Sequence, residues 1–80
     1  MSQKKEVIEM TQKERYRYIR SLMVRQGVTN VEVAKEANVS REYVYFVMTG
    51  QRTGYRIRRV LAEMIGLDVT DIWPEQRRAA

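Results

Sequence analysis

The chain has 80 residues, 44% of them hydrophobic and 31% charged, with a formal net charge of +5. A chain this short makes one domain that buries only about 60% of its unfolded surface, and its hydrophobic content excludes wholesale disorder. It contains no Cys and no His, which removes disulfide stapling and the usual zinc-ligand sets and fits a cytoplasmic setting. Residues 1–10 carry no apolar signal core, and no apolar run approaches the roughly 20 residues a membrane helix needs, so neither secretion nor membrane association is expected.

With one Pro, four Gly and no dense β-branched alternation, the pattern predicts an all-α fold. Residues 1–10 read as a flexible arm. Thr11-Gln12-Lys13-Glu14 has capping-box spacing and opens helix one. Tyr18, Ile19, Leu22 and Met23, with Tyr16 as a further candidate, then recur at helical spacing until Gly27 stops the helix. Thr29-Asn30-Val31-Glu32 repeats the capping spacing, with either Thr29 or Asn30 as the cap. Helix two turns Val33, Ala34 and Ala37 inward. Asn38 adopts a left-handed turn more readily than most residues, Val39 returns toward the core, and Ser40 caps helix three. Val44, Val47 and Met48 form that helix's inward stripe, which ends at Thr49-Gly50.

Gln51–Gly54 is a polar loop leading to helix four from about Tyr55. Ile57, Val60, Leu61, Met64 and Ile65 make its apolar side, and Gly66 ends it. Asp68–Trp73 reads as one short helix, started by Asp68 and stopped by Pro74, with Leu67, Val69, Ile72 and Trp73 sealing the core. Residues 75–80 read as a flexible tail. The expected fold is therefore a compact five-helix bundle over 11–74 that contains a helix-turn-helix.

Charge is unevenly spread: residues 11–30 sum to +4, 31–50 to −1 and 51–66 to +3. Phosphate attraction supplies affinity without sequence choice, whereas contacts to base edges supply choice. Basic flanks around a nearly neutral helix pair fit that division, and equally fit a basic surface with no nucleic-acid role. The inward Val residues leave the N-terminal end of helix three free to enter a groove about 12 Å wide; any small bundle also needs such caps and Val residues.

Several ordered pieces carry a resemblance: Ile19-Arg20-Ser21-Leu22 with Gly27-Val28-Thr29, the run Val31–Ser40, Val44 with Val47–Arg52, and Ile57 through Trp73-Pro74. Together they resemble the helix-turn-helix DNA-binding domain of the lambda/434 repressor and Cro superfamily, in register over about residues 15–74 with no awkward insertion. Two positions depart from the family pattern. Asn38 stands where Gly is common, and Met23 and Met48 stand where many repressors pair an Arg with a Glu. An apolar contact in place of that pair costs little, since packed side chains often replace a buried ion pair without loss.

On helix three, Arg41 is the leading candidate for base recognition, bidentate to guanine or bound to a nearby phosphate. Glu42 either accepts from a cytosine amino group or orients Arg41. Phe46, one turn on, either packs on a thymine methyl or joins the core. The hydroxyls of Tyr45 and Tyr43 are candidates for a phosphate, with Tyr43 alternatively covering helix four. The resemblance implies that Asn30 and Ser40 lie beside phosphates at helix starts, that Thr49, Gln51 and Arg52 approach the backbone after helix three, and that Arg56 reaches a phosphate or the minor groove. Arg58 and Arg59 are weaker candidates, one of them expected to face solvent.

The sequence has no nucleophile-and-base set, no glycine-rich phosphate cradle and no clustered metal carboxylates, so neither an enzyme nor a cofactor is expected. The expected function is a sequence-specific double-stranded DNA-binding transcriptional regulator, cytoplasmic and nucleoid-associated when bound. The resemblance further implies a homodimer on a two-fold-related operator, with repression as the default mechanism, Leu67–Trp73 as a candidate dimer surface, and phage-related regulators among its relatives. The alternative is a protein-binding adaptor or antitoxin-like component built on the same helices.

Overall fold

The structure, a computed structural model, describes residues 9–76. Most of the arm expected over 1–10 and the last four residues of the expected tail lie outside them. Among the described residues there are five helices and no strand: α1 Gln12–Gln26, α2 Asn30–Ala37, α3 Arg41–Thr49, α4 Tyr55–Met64 and α5 Val69–Ile72. None is long and apolar enough to cross a membrane.

Local side-chain chemistry explains most of the boundaries. At α1 the Thr11 amide donates to Glu14 Oε1 (2.9 Å) and the Glu14 amide donates back to Thr11 Oγ1 (3.1 Å), which satisfies two otherwise orphan donors. The same box opens α2, with Thr29 rather than Asn30 as the cap. Asp68 and Asp71 close a third box at α5. Asn38 ends α2 in the left-handed region (φ 58°, ψ 49°), and the amide of Val39 reaches back to Ala34 O at 3.0 Å. That reversal lets α3 cross α2 after only three connecting residues. α4 is shorter than its apolar pattern predicts. It stops at Met64, and Ile65 becomes a buried cap residue outside the helix.

The core takes side chains from all five helices. Ile19 and Met23 come from α1, Val33, Ala34 and Ala37 from α2, and Val44, Val47 and Met48 from α3. Ile57, Leu61 and Ala62 of α4 join them, with Ile65, Val69, Ile72 and Trp73 beyond. Trp73 is essentially inaccessible, so it belongs to the core and offers nothing to a dimer surface. Met23 and Met48 are buried in this one cluster, the apolar environment expected for them. Tyr18 is the exception on α1: it is only half-buried and stands outside the cluster.

The C-terminal segment departs most from the sequence expectation. Glu75 and Gln76, expected to open a loose tail, are docked. One Glu75 oxygen, Oε2, accepts from Arg15 Nη1 at 3.1 Å and from Arg58 Nη1 at 3.4 Å. Gln76 is buried, donates through Nε2 to Tyr55 O (3.1 Å), and accepts from Arg58 Nη1 through Oε1 (3.5 Å). The Arg58 guanidinium also lies 5.1 Å from the Trp73 ring centroid, a favourable cation–π distance. Burial pulls the Arg58 pKa below its ordinary value. Glu75 opposes that shift, Arg15 adds to it, and Tyr55 opposes it in turn. Arg58 is therefore a structural residue, and Arg59 is the member of the pair that meets solvent.

Two expectations follow. Glu75→Ala strands two buried guanidiniums and should cost about 1–3 kcal/mol in urea unfolding, toward the low end because the carboxylate is half exposed. At the exposed turn position, Asn38→Gly should be neutral or mildly stabilising, whereas Asn38→Val should cost about 1–2 kcal/mol by forcing a β-branched side chain to positive φ. Equal midpoints for the two Asn38 variants would contradict a conformational role.

Candidate nucleic-acid interface

α3 is anchored on one side and open on the other. Val44, Val47 and Met48 are fully buried, while Arg41, Glu42 and Tyr45 are exposed on the remaining face. The helix begins where Ser40 Oγ accepts from the Tyr43 amide at 3.1 Å. That leaves the Ser40 hydroxyl proton available as a donor. Arg41 and Glu42 lie with Nε and Oε2 3.7 Å apart, each side chain about two-thirds exposed (67% and 68%). An exposed pair of this kind contributes little to stability, so either group can exchange it for another partner. Arg41 also borders a shallow recess floored by Val31, Ala34 and Val39, at the crossing of α2 and α3.

Phe46 is half-buried and stands outside the residues that form or pack against the core, so the structure does not place it in the interior. Tyr43 instead packs on the core. Tyr45 meets Tyr16 of α1 edge-on, with centroids 5.7 Å apart, and Phe46 at 6.1 Å. Edge-to-face pairs hold rings in fixed relative orientation. The Tyr16–Tyr45 contact was missed from sequence because it joins two helices 29 positions apart.

After α3, a short chain of hydrogen bonds shapes the loop. Thr49 Oγ1 donates to Phe46 O (3.3 Å), Gln51 Nε2 donates to Thr49 Oγ1 (3.1 Å), and Arg52 Nη1 donates to Gln51 O (3.2 Å). Thr49, Gln51 and Arg52 are thus brought together at one end of α3. Gly54 closes the loop at φ +51°, and a Cβ there would sit 2.5 Å from Val47 Cγ2 and 3.6 Å from Tyr43. Only a glycine lets the start of α4 approach α3 so closely.

Asn30 and Arg56 stand apart from that group. Asn30 is the first residue of α2 and lines a recess with Arg20, Val24, Val28 and Thr29. Arg56 Nη2 donates to Ala37 O at 2.6 Å, satisfying a carbonyl at the C-terminus of α2, where positive charge is favoured. This ties α4 to the helix before the turn, a structural task that residue spacing does not reveal. Its other guanidinium N–H groups remain available for an outside acceptor.

Comparison with protein-family models, with curated proteins and with solved structures returned no match to this chain. The candidate site therefore rests on its own geometry: an exposed Arg–Glu pair and Tyr45 on one helix, a polar loop at its end, and arginines on neighbouring elements.

Gly54→Ala should lower stability by about 1–3 kcal/mol, from overpacking and positive φ together. Adding Val47→Ala should recover the clash component, giving a coupling of about 1 kcal/mol in a double-mutant cycle. Strict additivity would show that the close approach is not what constrains Gly54.

Proposed function

We propose that the protein is a sequence-specific double-stranded DNA-binding transcriptional regulator, a repressor acting as a homodimer. One observation carries the reading: with Val44, Val47 and Met48 buried, α3 presents Arg41 from its first turn, and Glu42 and Tyr45 from its outer side, to solvent, and their polar heads make no contact that the fold requires. A helix held this way enters a major groove as a rigid body. Arg41 would donate two parallel hydrogen bonds to a guanine edge. Glu42 would exchange Arg41 for a cytosine amino group, and its charge would penalise indiscriminate contact with phosphates. Phe46, outside the core and one turn beyond Glu42, would offer its ring to a thymine methyl.

Ser40, Thr49, Gln51 and Arg52 would hold the phosphate backbone at the two ends of α3, with Asn30 doing so at the start of α2. The side-chain order that resembles the lambda/434 repressor and Cro superfamily supports the same arrangement. A single unit reads few bases, so two copies on a two-fold-related operator would improve selectivity, with half-site centres about 34–36 Å apart. No catalytic step is assigned to any residue of this face.

One feature favours the adaptor or antitoxin-like reading. Val24 of α1 is 72% exposed beside an apolar groove, and such a surface suits a protein partner.

Selection from a random duplex library tests the main reading. The expected product is an enriched, two-fold-related motif bound with salt-dependent affinity; no enriched motif would sink it. On the selected site, Arg41→Ala should cost about 1–3 kcal/mol and relax preference at one base pair. Arg52→Ala should weaken selected and random duplexes alike and reduce the salt slope by about 1.

A further inference from the structure

Arg20 of α1 sits between two parts of the surface assigned to DNA. On one side its Nη1 donates to Tyr16 Oη at 3.2 Å, and Tyr16 in turn packs on Tyr45 of α3. On the other it lines the recess that contains Thr29 and Asn30, at the start of α2. It also borders the open groove along the outer side of α1, whose mostly apolar lining includes Tyr16 and the exposed Val24 and which carries the further guanidiniums of Arg17 and Arg25. Arg17, Arg20 and Arg25 enter none of the ion pairs formed among the described residues, although carboxylates elsewhere in the domain are drawn to Arg15, Arg41 and Arg58.

We propose that Arg17 and Arg20 form a second backbone rail, which grips the phosphates of the strand running past α1 while α3 occupies the major groove. The inference rests on the DNA-binding reading above. Charge complementarity selects the occupant: uncompensated guanidiniums facing outward match a polyanion, and guanidinium geometry suits phosphate oxygens. Continuity selects DNA over an acidic protein segment. The groove is joined through Tyr16 to the exposed ring on α3 and through Arg20 to the first residue of α2, so a strand that touched Asn30 and Tyr45 would pass Arg20. Tyr16 is a positioning residue here, since its hydroxyl holds the Arg20 head and its ring fixes α1 against α3. The rail carries no sequence information, and its contribution is affinity and salt dependence.

The test uses the full chain with the selected duplex and a scrambled duplex, titrated by fluorescence anisotropy across a salt series. The Arg17→Ala/Arg20→Ala pair should weaken both duplexes by the same factor and lower the salt slope by about 1–2. The Arg17→Lys/Arg20→Lys pair should restore the slope. Tyr16→Phe keeps the ring contact but frees Arg20, and should weaken binding without changing base preference. Thermal unfolding separates these effects from loss of fold; if the alanine pair is unfolded, the single Arg17→Gln variant carries the test, with a slope lower by about 1.

An unchanged slope and affinity in folded alanine variants overturns the rail while leaving the DNA reading standing. Failure of the unmodified protein to bind either duplex overturns both. A designed acidic helical peptide, with Glu and Leu at heptad spacing, supplies the opposing outcome. If it binds the unmodified protein and not the alanine pair, while DNA affinity is the same for both, the groove belongs to a protein partner and the rail is overturned.

Discussion

Val44, Val47 and Met48 are withdrawn completely from solvent, and the placement of the exposed face of α3 follows from that burial. Each such side chain contributes about 1.5–3 kcal/mol when fully buried, so rotating α3 about its axis would forfeit most of what holds it. With the inner stripe fixed, the 3.6-residue period leaves Glu42 and Tyr45 outside, while Arg41, three residues before Val44, is exposed at the first turn of the helix. The same stripe dictates the next connection. Val47 stands so close to Gly54 that no side chain fits between them, and α4 starts where that contact allows. Hydrophobic packing, rather than any polar interaction, thus sets the geometry in which polar groups are presented.

Arginines serve two purposes in this domain, and their surroundings separate them. Arg15 and Arg58 are buried against Glu75, and their Nε atoms find no partner. Two guanidiniums sharing one half-exposed carboxylate leave an excess of positive charge in the interior, and desolvation costs accordingly. The cation–π contact with Trp73 and the hydrogen bond from Arg58 to Gln76 offset part of that cost. The arrangement ties the first turn of α1, the first turn of α4 and the C-terminal segment to one another. Arg56 makes a further tie, from α4 to the carbonyl end of α2. Arg17, Arg20, Arg41 and Arg52 are outside, where water stabilises their charge and an incoming anion can compete for it. Net charge alone does not distinguish these groups.

Much of the fold was legible because it is decided within a few residues. Thr11 with Glu14, Thr29 with Glu32, and Asp68 at the last helix are four-residue devices, and Gly27, Asn38 and Gly50 each end a helix in the left-handed region. The choice between Thr29 and Asn30 as cap was not legible, because both side chains are competent and only backbone direction separates them. The extension of α4 through Ile65 was misread for a related reason. A buried apolar residue satisfies the helical pattern whether it lies in the last turn or just beyond it. At the candidate site, the exposure of Glu42 followed from periodicity and that of Arg41 from its place at the start of α3, while the partial burial of Phe46 and the core packing of Tyr43 depended on what the neighbouring helices brought against them.

The sequence by itself therefore determined the number, order and inward faces of the helices, since caps, stops and apolar period act over one or two turns. Tertiary structure decided which charges are structural. Arg15 and Glu75 are 60 positions apart, Tyr16 and Tyr45 lie on different helices, and Arg56 reaches a carbonyl 19 positions away. No local rule brings such residues together. They meet because the buried stripes of α1, α3 and α4 must close on a common core, and that closure fixes which arginines lose their water and which keep it.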